Sequence, residues 1–293
     1  MTILSSFRIF PLHAVLVAAL LTPACTALAQ DAPAPKLAEC ADAPMIGRFD
    51  PSRDVLIANY DSKPDVDDLQ AVAGLGSVLK HPDFACVDYI ATSGAYGIQA
   101  GTYLPAAELF NLAFGDKWLD AHEDREASVD ALARLMSKAL QRGGKVWVAE
   151  AGQSDVTAAA VRKLPEAKWR GIHIVQHSYW NESQTSPDAM NTLVYNTTYH
   201  RIQDGNFAGN GTPAFNTHDN SHWGPLLDDR DVGPIWAEAK RLSELHNPVA
   251  EYVNPAVEAG GLDFSDTVEI AYIFGFEDME GVGDFVSRFA KAK

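Results

Sequence analysis

The amino-acid sequence predicts an α/β fold, an open and mostly parallel sheet with helices on both faces. Two observations predict it. Short apolar runs alternate with longer segments in which apolar residues recur at helical spacing. The alternation continues from residue 55 to residue 175, and such a series is typical of βαβ units, whose strands pair in parallel. A composition of 47% hydrophobic and 21% charged residues fits a globular core and excludes disordered or fibrous proteins.

The first two strand and helix pairs come early in the chain. Residues 55–59 form a short apolar run, and from residue 69 to residue 79 the apolar residues keep helical spacing. The second strand is predicted over 85–92, which is rich in strand-forming residues, and the second helix over 104–114.

The same alternation continues in the middle of the chain. A helical apolar stripe covers 128–140, and an apolar strand follows over 145–149 after two glycines. A further helix is predicted over 156–164 and a fourth strand over 172–175. These elements extend the predicted parallel sheet.

Periodicity is lost between residues 196 and 231, where Gly, Asn, Asp, His and Thr dominate. The apolar residues within this stretch favour a packed loop over a disordered one; they are Phe207, Phe215, Trp223, Leu226 and Leu227. Helices resume over 235–245 and 267–274. Without an internal repeat or a linker, residues 30–293 are predicted to form a single domain.

Residues 1–29 have the pattern of a signal peptide. Arg8 precedes an apolar run over 14–21, and Ala27-Leu28-Ala29 suits cleavage after Ala29. The run is too short to cross a bilayer, so no membrane anchor is expected and the protein is predicted to be periplasmic or secreted. Lipoprotein processing at Cys25 is the alternative.

Cleavage would leave Cys40 and Cys86 as the only thiols of an exported protein. An even count in an oxidising compartment predicts a disulfide between them. Two buried free cysteines are the alternative.

The charge balance excludes one class of partner. Against 23 Lys and Arg residues there are 39 Asp and Glu residues, and no basic run occurs. Nucleic acid is therefore not an expected partner, because phosphate neutralisation needs clustered Lys or Arg. A small molecule is the expected partner, and a homo-oligomer is left open.

Four carboxylates occupy one short loop at the carboxyl end of the first predicted strand: Asp61, Asp65, Asp67 and Asp68. Brought together they repel, and Ca²⁺ is the kind of hard cation that such an oxygen cluster binds. The alternative is that these residues cap the following helix. An EF-hand would need Gly in place of Val66, and an aspartyl-phosphate phosphatase would need Asp in place of Lys63.

The segment Asp61-Ser62-Lys63-Pro64-Asp65-Val66-Asp67-Asp68 resembles the Asp-x-Asp-Pro-Gly-x-Asp-Asp loop of the nucleoside hydrolase family. Lys63 replaces the second Asp of that loop and Asp65 replaces its Gly. The pattern is closer to a divergent secreted branch, which is similar to Asp-x-x-x-Asp-x-Asp-Asp.

Three later segments extend the resemblance. Residues 90–96 are similar to the second-strand segment of the family, with Tyr96 where a sugar-binding Asn is expected, and residues 146–155 resemble its Gly-Pro-Leu-Thr-Asn turn. Ser265-Asp266-Thr267 resembles the late His-Asp pair. The resemblance implies a Rossmann-like nucleoside hydrolase fold and a bound Ca²⁺. It implies as ligands Asp61, Asp65, Asp68 and Asp266, with the carbonyl of Ser154.

The resemblance also implies an exported enzyme that cleaves a nucleoside or related glycoside by water attack at the anomeric carbon. The usual base position of the family is Lys63 here, so Asp67, which adjoins the expected ligand Asp68, is the expected base. His177, after the fourth strand, is the first candidate for the leaving-group acid, and the expected sugar-binding residues are Tyr96, Asn181 and Glu182. A surface turn is the alternative for residues 177–182, and Trp180 is expected to pack.

Two other functions stay open. One is a non-catalytic calcium- and sugar-binding protein of the same fold. The other is a structural envelope protein in which Lys63 pairs with the loop carboxylates in place of a cation.

Overall fold

A six-stranded sheet lies between two layers of helices in the computed structural model, which describes residues 40–276 and 278–290. Every strand pair in this sheet is parallel, which confirms the predicted α/β class. The strands are β1 (Val55–Tyr60), β2 (Tyr89–Ser93), β3 (Trp118–Asp120), β4 (Val146–Glu150), β5 (Ile172–Gln176) and β6 (Thr198–Arg201). The predicted signal peptide and Cys25 lie outside the described residues.

Strand β1 shows why the central strands read as unbroken apolar runs. All six of its residues are buried, because helices cover both faces of a parallel sheet. Leu56 and Ala58 belong to one core cluster, whereas Val55 and Ile57 belong to the other. Alternating side chains of one strand thus enter two separate cores.

Eleven helices are found in the described residues. They are α1 (Asp67–Lys80), α2 (Ala107–Phe114), α3 (Arg125–Gln141), α4 (Asp155–Arg162), α5 (Tyr179–Gln184), α6 (Pro187–Asn196), α7 (Trp223–Asp228), α8 (Gly233–His246), α9 (Pro255–Glu258), α10 (Val268–Phe274) and α11 (Val282–Phe289). Helices α1, α2, α8, α10 and α11 contribute to the core on one face of the sheet. Helices α3, α4 and α6 contribute to the core on the other.

The structure corrects several predicted element bounds. Strand β2 begins at Tyr89 instead of residue 85, because a short 3-10 turn covers Pro82–Phe84. Helix α2 begins at Ala107 instead of residue 104. The stretch 196–231 is less irregular than predicted, since it contains β6 and α7. A two-residue strand, β7 (Asn216–Thr217), pairs there with β8 (Leu262–Asp263).

The apolar residues of that stretch divide between core and surface. Phe215, Trp223 and Leu226 are buried, as a packed loop requires, and Trp223 meets Trp236 edge to face. Phe207 and Leu227 are exposed instead. The packed-loop prediction therefore holds for three of its five apolar residues.

Cys40 and Cys86 form the predicted disulfide, with their Cα atoms 5.7 Å apart. The bond ties the first described residue to the loop that leads into β2. Within residues 40–276 and 278–290, no helix combines the length and the apolar character needed to cross a bilayer.

The strand order positions the site. It runs β3-β2-β1-β4-β5-β6, so chain direction across the sheet reverses between β1 and β4. The loops that leave these two neighbours turn to opposite faces, which opens a crevice at their carboxyl ends where ligands of doubly wound folds bind.

Candidate functional site

A cavity of about 670 Å³ opens at the carboxyl ends of the strands. The loops after β1, β2, β4, β5 and β6 all contribute to it, together with two later segments of the chain. Its lining residues are Asp61, Lys63, Pro64, Asp65, Asp67, Gln99, Ala100, Gly101, Ala151, His177, Ser178, Trp180, Asn181, Gln184, Asp204, Asn206, Glu251, Tyr252 and Asp266. Its size is that of an ordinary small-molecule site.

The loop after β1 folds back on its own carboxylates. Ser62 has a φ of 55°, a region that residues with a side chain rarely adopt. This turn directs the Ser62 N–H at Asp68 Oδ2, 2.5 Å away, and the Lys63 N–H at Asp61 Oδ1, 3.0 Å away. Strain of this kind persists where the surrounding structure holds it, and here the buried carboxylates do so.

The loop carboxyl groups meet in two pairs. The carboxyl group of Asp61 neighbours that of Asp68, and the carboxyl group of Asp65 neighbours that of Asp67. Burial raises the pKa of Asp61 and that of Asp65, each to about 7. Two neighbouring buried carboxylates cannot both carry an unshielded charge, so each pair must share a proton or bind a cation.

One oxygen of this cluster has no partner. Asp68 is buried, and its Oδ1 makes no hydrogen bond although its Oδ2 accepts one. An orphaned carboxylate oxygen among other carboxylates fits an oxygen-binding cation such as Ca²⁺. Within the part of the chain that the structure describes, no three His, Cys, Asp or Glu side chains are already arranged around one metal position. The residues fit the ion by their chemistry, and the carboxyl pairs would have to open to bind it.

Asp266 reaches the cluster from the far end of the chain. It lies in the 3-10 turn Ser265–Thr267, which packs against α1 at Gly74. A Cβ at Gly74 would stand 2.6 Å from Thr267 Oγ1, so only glycine allows this approach. Burial and the charges of Asp67 and Asp68 raise the pKa of Asp266 well above its usual range.

His177 is fixed by a buried glutamate. Its Nδ1 lies 2.5 Å from Glu269 Oε1, and its backbone N–H donates to the same oxygen. Its Nε2 lies 3.5 Å from Asp266 Oδ1 on the cavity wall. Burial alone would lower the pKa of His177, but the Glu269 carboxylate outweighs it and the pKa is raised.

Gln153 joins the acidic floor to the predicted sugar-binding residues. Its Nε2 donates to Asp61 Oδ2 at 2.6 Å and approaches Asn181 Oδ1 at 3.2 Å. Asn181 Nδ2 donates in turn to the carbonyl of Ala151. This network fixes Asp61 and Asn181 relative to each other on the cavity wall.

Six of the ten predicted site residues line the cavity: Asp61, Asp65, Asp67, His177, Asn181 and Asp266. Asp68 lies behind the lining in contact with Asp61. The other three predicted site residues do not line the cavity.

Ser154, Tyr96 and Glu182 are not lining residues. The Ser154 carbonyl already accepts the N–H of Ala158 in the first turn of α4. The Glu182 carboxylate binds Arg201 Nε at 2.6 Å, so its charge is directed away from the cavity. Tyr96 donates to or accepts from His122 Nδ1 at 2.9 Å. Direct contacts of these three residues with a ligand therefore stay predictions.

The Lys63 ammonium binds to the loop after β2. Its Nζ donates to the Gln99 carbonyl at 2.9 Å and lies 3.8 Å above the Tyr96 ring. Burial lowers the pKa of Lys63. The ammonium therefore contacts the loop after β2, and the charges of Asp61 and Glu251 also act on it.

Glu269, Gln153 and Trp180 were not predicted as site residues. Glu269 follows Asp266 by three residues, a helical spacing that places both on one side of the chain and was available as a signal. Gln153 had no such signal. Trp180 was expected to pack, but it is 56% exposed on the cavity lining because α5 directs it to solvent.

Comparison with protein-family models finds no match to this chain, and comparison with curated proteins finds none either.

Proposed function

We propose that this protein is an exported, metal-assisted hydrolase of N-glycosidic bonds that acts on a nucleoside or a related glycoside. The observation that carries the proposal is the group of carboxylates with His177 and Asn181 in one cavity at the reversal of strand order. Carboxylates suit sugar hydroxyls and a developing oxocarbenium charge. The disulfide supports export, because such bonds persist in oxidising compartments.

Ca²⁺ is the proposed ion, and its candidate ligands are Asp61, Asp65, Asp68 and Asp266. When bound, it neutralises these carboxylates and orients the sugar hydroxyls and the attacking water. The Ser154 carbonyl accepts the Ala158 N–H and keeps a second lone pair, so it can complete this set. Asp68 Oδ1 is the oxygen that most needs the ion.

Two side chains of the cavity carry out the proton transfers of the proposed reaction. Asp67 lies on the lining beside Asp68 and takes the proton of the water as its oxygen bonds to the anomeric carbon. The bond from that carbon to the base nitrogen breaks, and its electron pair leaves with the base. His177 Nε2, held by Glu269, donates the proton that a neutral base needs in order to leave.

The second candidate is a calcium- and sugar-binding protein that does not hydrolyse its ligand. Lys63 favours this reading, because the residue that the resemblance implies as base is a lysine here and is engaged with Gln99. Both candidates use the same cavity and differ only in turnover.

Paired variants test the proposal. We expect the purified protein to release free base from a panel of nucleosides, and Asp67→Asn to lower turnover at least about a hundredfold while metal content is retained. Asp68→Asn should lose both the metal and turnover. Elemental analysis and an assay for free base measure the two properties, with Glu258→Gln, an exposed carboxylate outside the cavity, as control.

Chelator gives a second readout. An ion that binds only the folded state stabilises it, so chelator should lower the melting temperature of the wild type and leave Asp68→Asn unchanged. Sugar binding without turnover across the panel would favour the binding protein. An unaltered wild-type melting curve in chelator would reject the metal.

A further inference from the structure

The charges of the cavity do not balance. Its lining carries six carboxylates, from Asp61, Asp65, Asp67, Asp204, Glu251 and Asp266, but only one lysine and one histidine. A ligand that brings positive charge would therefore gain energy here, and an anionic one would be repelled.

Aromatic rings accompany the carboxylate at the exposed side of the cavity. Trp180 is 56% and Tyr252 is 54% exposed, and both line the cavity with Glu251. Exposed aromatic side chains that line a cavity commonly contact the ligand of that cavity. Aromatic faces beside a carboxylate attract organic cations.

Glu251 is held in place by the backbone. Its Oε2 accepts the N–H of Thr102 at 3.0 Å and lies against Gly101. The buried floor carboxylates lie deeper, because Asp61, Asp65 and Asp266 are each less than one-tenth exposed. The lining thus combines a buried acidic floor suited to hydroxyls with two exposed aromatic rings and one fixed carboxylate.

We propose that Trp180, Glu251 and Tyr252 bind a positively charged aromatic ring. Building on the proposed function, this ring is the aglycone of an N-glycoside of pyridinium type. When its glycosidic bond breaks, the electron pair returns to the cationic ring nitrogen and the heterocycle leaves as a neutral molecule. Water supplies the new C–O bond and its proton goes to Asp67, so the step balances without a proton donor.

A pair of probes isolates the charge. Calorimetric titration at low salt should show that 1-methylpyridinium-3-carboxamide binds about tenfold more tightly than neutral pyridine-3-carboxamide. Tetramethylammonium, a cation without an aromatic ring, should bind more weakly than the methylpyridinium. Equal affinity for the two pyridine probes would overturn the inference.

Variants locate the subsite. Glu251→Gln and Trp180→Leu should each reduce the affinity for the methylpyridinium probe about three- to tenfold. Matched changes of exposed residues off the lining, Glu258→Gln and Tyr195→Leu, should not. A cation preference that survives both cavity variants would reject this location.

A hydrolysis assay separates this inference from the proposed function. Cation binding without hydrolysis of any N-glycoside would reject the proposed function and retain the cation subsite. Turnover of uridine or inosine equal to that of an N-ribosylpyridinium would retain the function and reject the subsite. Faster turnover of the N-ribosylpyridinium would support both.

Discussion

Glu150 is the clearest case of a single residue whose environment sets its protonation. It ends β4 fully buried, accepts hydrogen bonds from Thr157 Oγ1 and Asn59 Nδ2, and has one oxygen without a partner. Burial raises the pKa of Glu150 to about 8. The folded protein therefore keeps this side chain protonated at pH values where the unfolded chain has released the proton.

The raised pKa of Glu150 determines how the stability of the folded protein changes with pH. Because the folded pKa is raised, the stability that Glu150 contributes is fully present below the unfolded value of 4.5. It is lost as pH rises toward about 8. Glu150→Gln keeps the shape and cannot ionise. We expect the variant to match the wild type near pH 5 and to exceed it by about 2 kcal/mol or more near pH 8.

Urea unfolding at several pH values from 5 to 8.5 measures this difference. The free energy of unfolding of the exposed control Glu258→Gln should depend on pH in the same way as that of the wild type. A Glu150→Gln variant less stable than the wild type at pH 8 would show that the carboxylate is ionised and paired in the folded protein.

The residues of the site differ in how far sequence could identify them. The run of Asp61, Asp65, Asp67 and Asp68 is visible because the four lie in one loop after an apolar strand. Gln153 and Glu251 have no such pattern, since their roles arise from contacts 92 and 149 residues apart. Long-range contacts of polar side chains leave no periodic signal.

At the scale of elements, sequence predicted the buried strands and missed those at the sheet edges. Strands β1, β4 and β5 were found because apolar residues dominate them. The edge strands β3 and β6 have three and four residues that are only partly buried or exposed, so they lack an apolar run. Helices α5 and α6 follow β5 in a polar segment whose amphipathic pattern is too short to identify.

Helix α1 makes a further prediction at this scale, because its contact with the turn at Ser265–Thr267 sets the position of Asp266. Gly74→Ala would place a Cβ 2.6 Å from Thr267 Oγ1. Overpacking of this kind costs about 1–3 kcal/mol, which exceeds the helix propensity that alanine adds. We therefore expect Gly74→Ala to be destabilising and to weaken the response of the melting temperature to chelator.

A second substitution tests the cause. Thr267 Oγ1 makes no hydrogen bond, so Thr267→Ala removes the clash without breaking a polar contact. The double variant Gly74→Ala/Thr267→Ala should regain most of the lost stability, a coupling that a double-mutant cycle measures. Additive effects of the two substitutions would show that the contact between helix and turn is not the cause.

At the scale of the whole molecule, topology and charge act together. The reversal of strand order between β1 and β4 creates the crevice, and loops from both halves of the sheet bring acidic residues to it. A formal charge of -16 surrounds this cavity with negative potential. A nucleoside 5′-phosphate should therefore bind at least tenfold more weakly than the matching nucleoside, with a difference that shrinks as salt screens the charges.

The disulfide links a peripheral segment to the whole fold. It closes a loop of 46 residues that contains β1, the acidic loop and all of α1. In the chain-entropy account, closing a loop of this length restricts the unfolded chain by about 4 kcal/mol.

We expect the double variant Cys40→Ser/Cys86→Ser to unfold at lower urea concentration than the oxidised wild type. Wild type kept in reductant should behave like the variant, which separates loss of the bond from loss of the sulfur atoms. Because the acidic loop and α1 lie inside the closed segment, the variant should also bind the proposed Ca²⁺ more weakly. Equal urea midpoints for oxidised and reduced wild type would show that the bond adds nothing to stability.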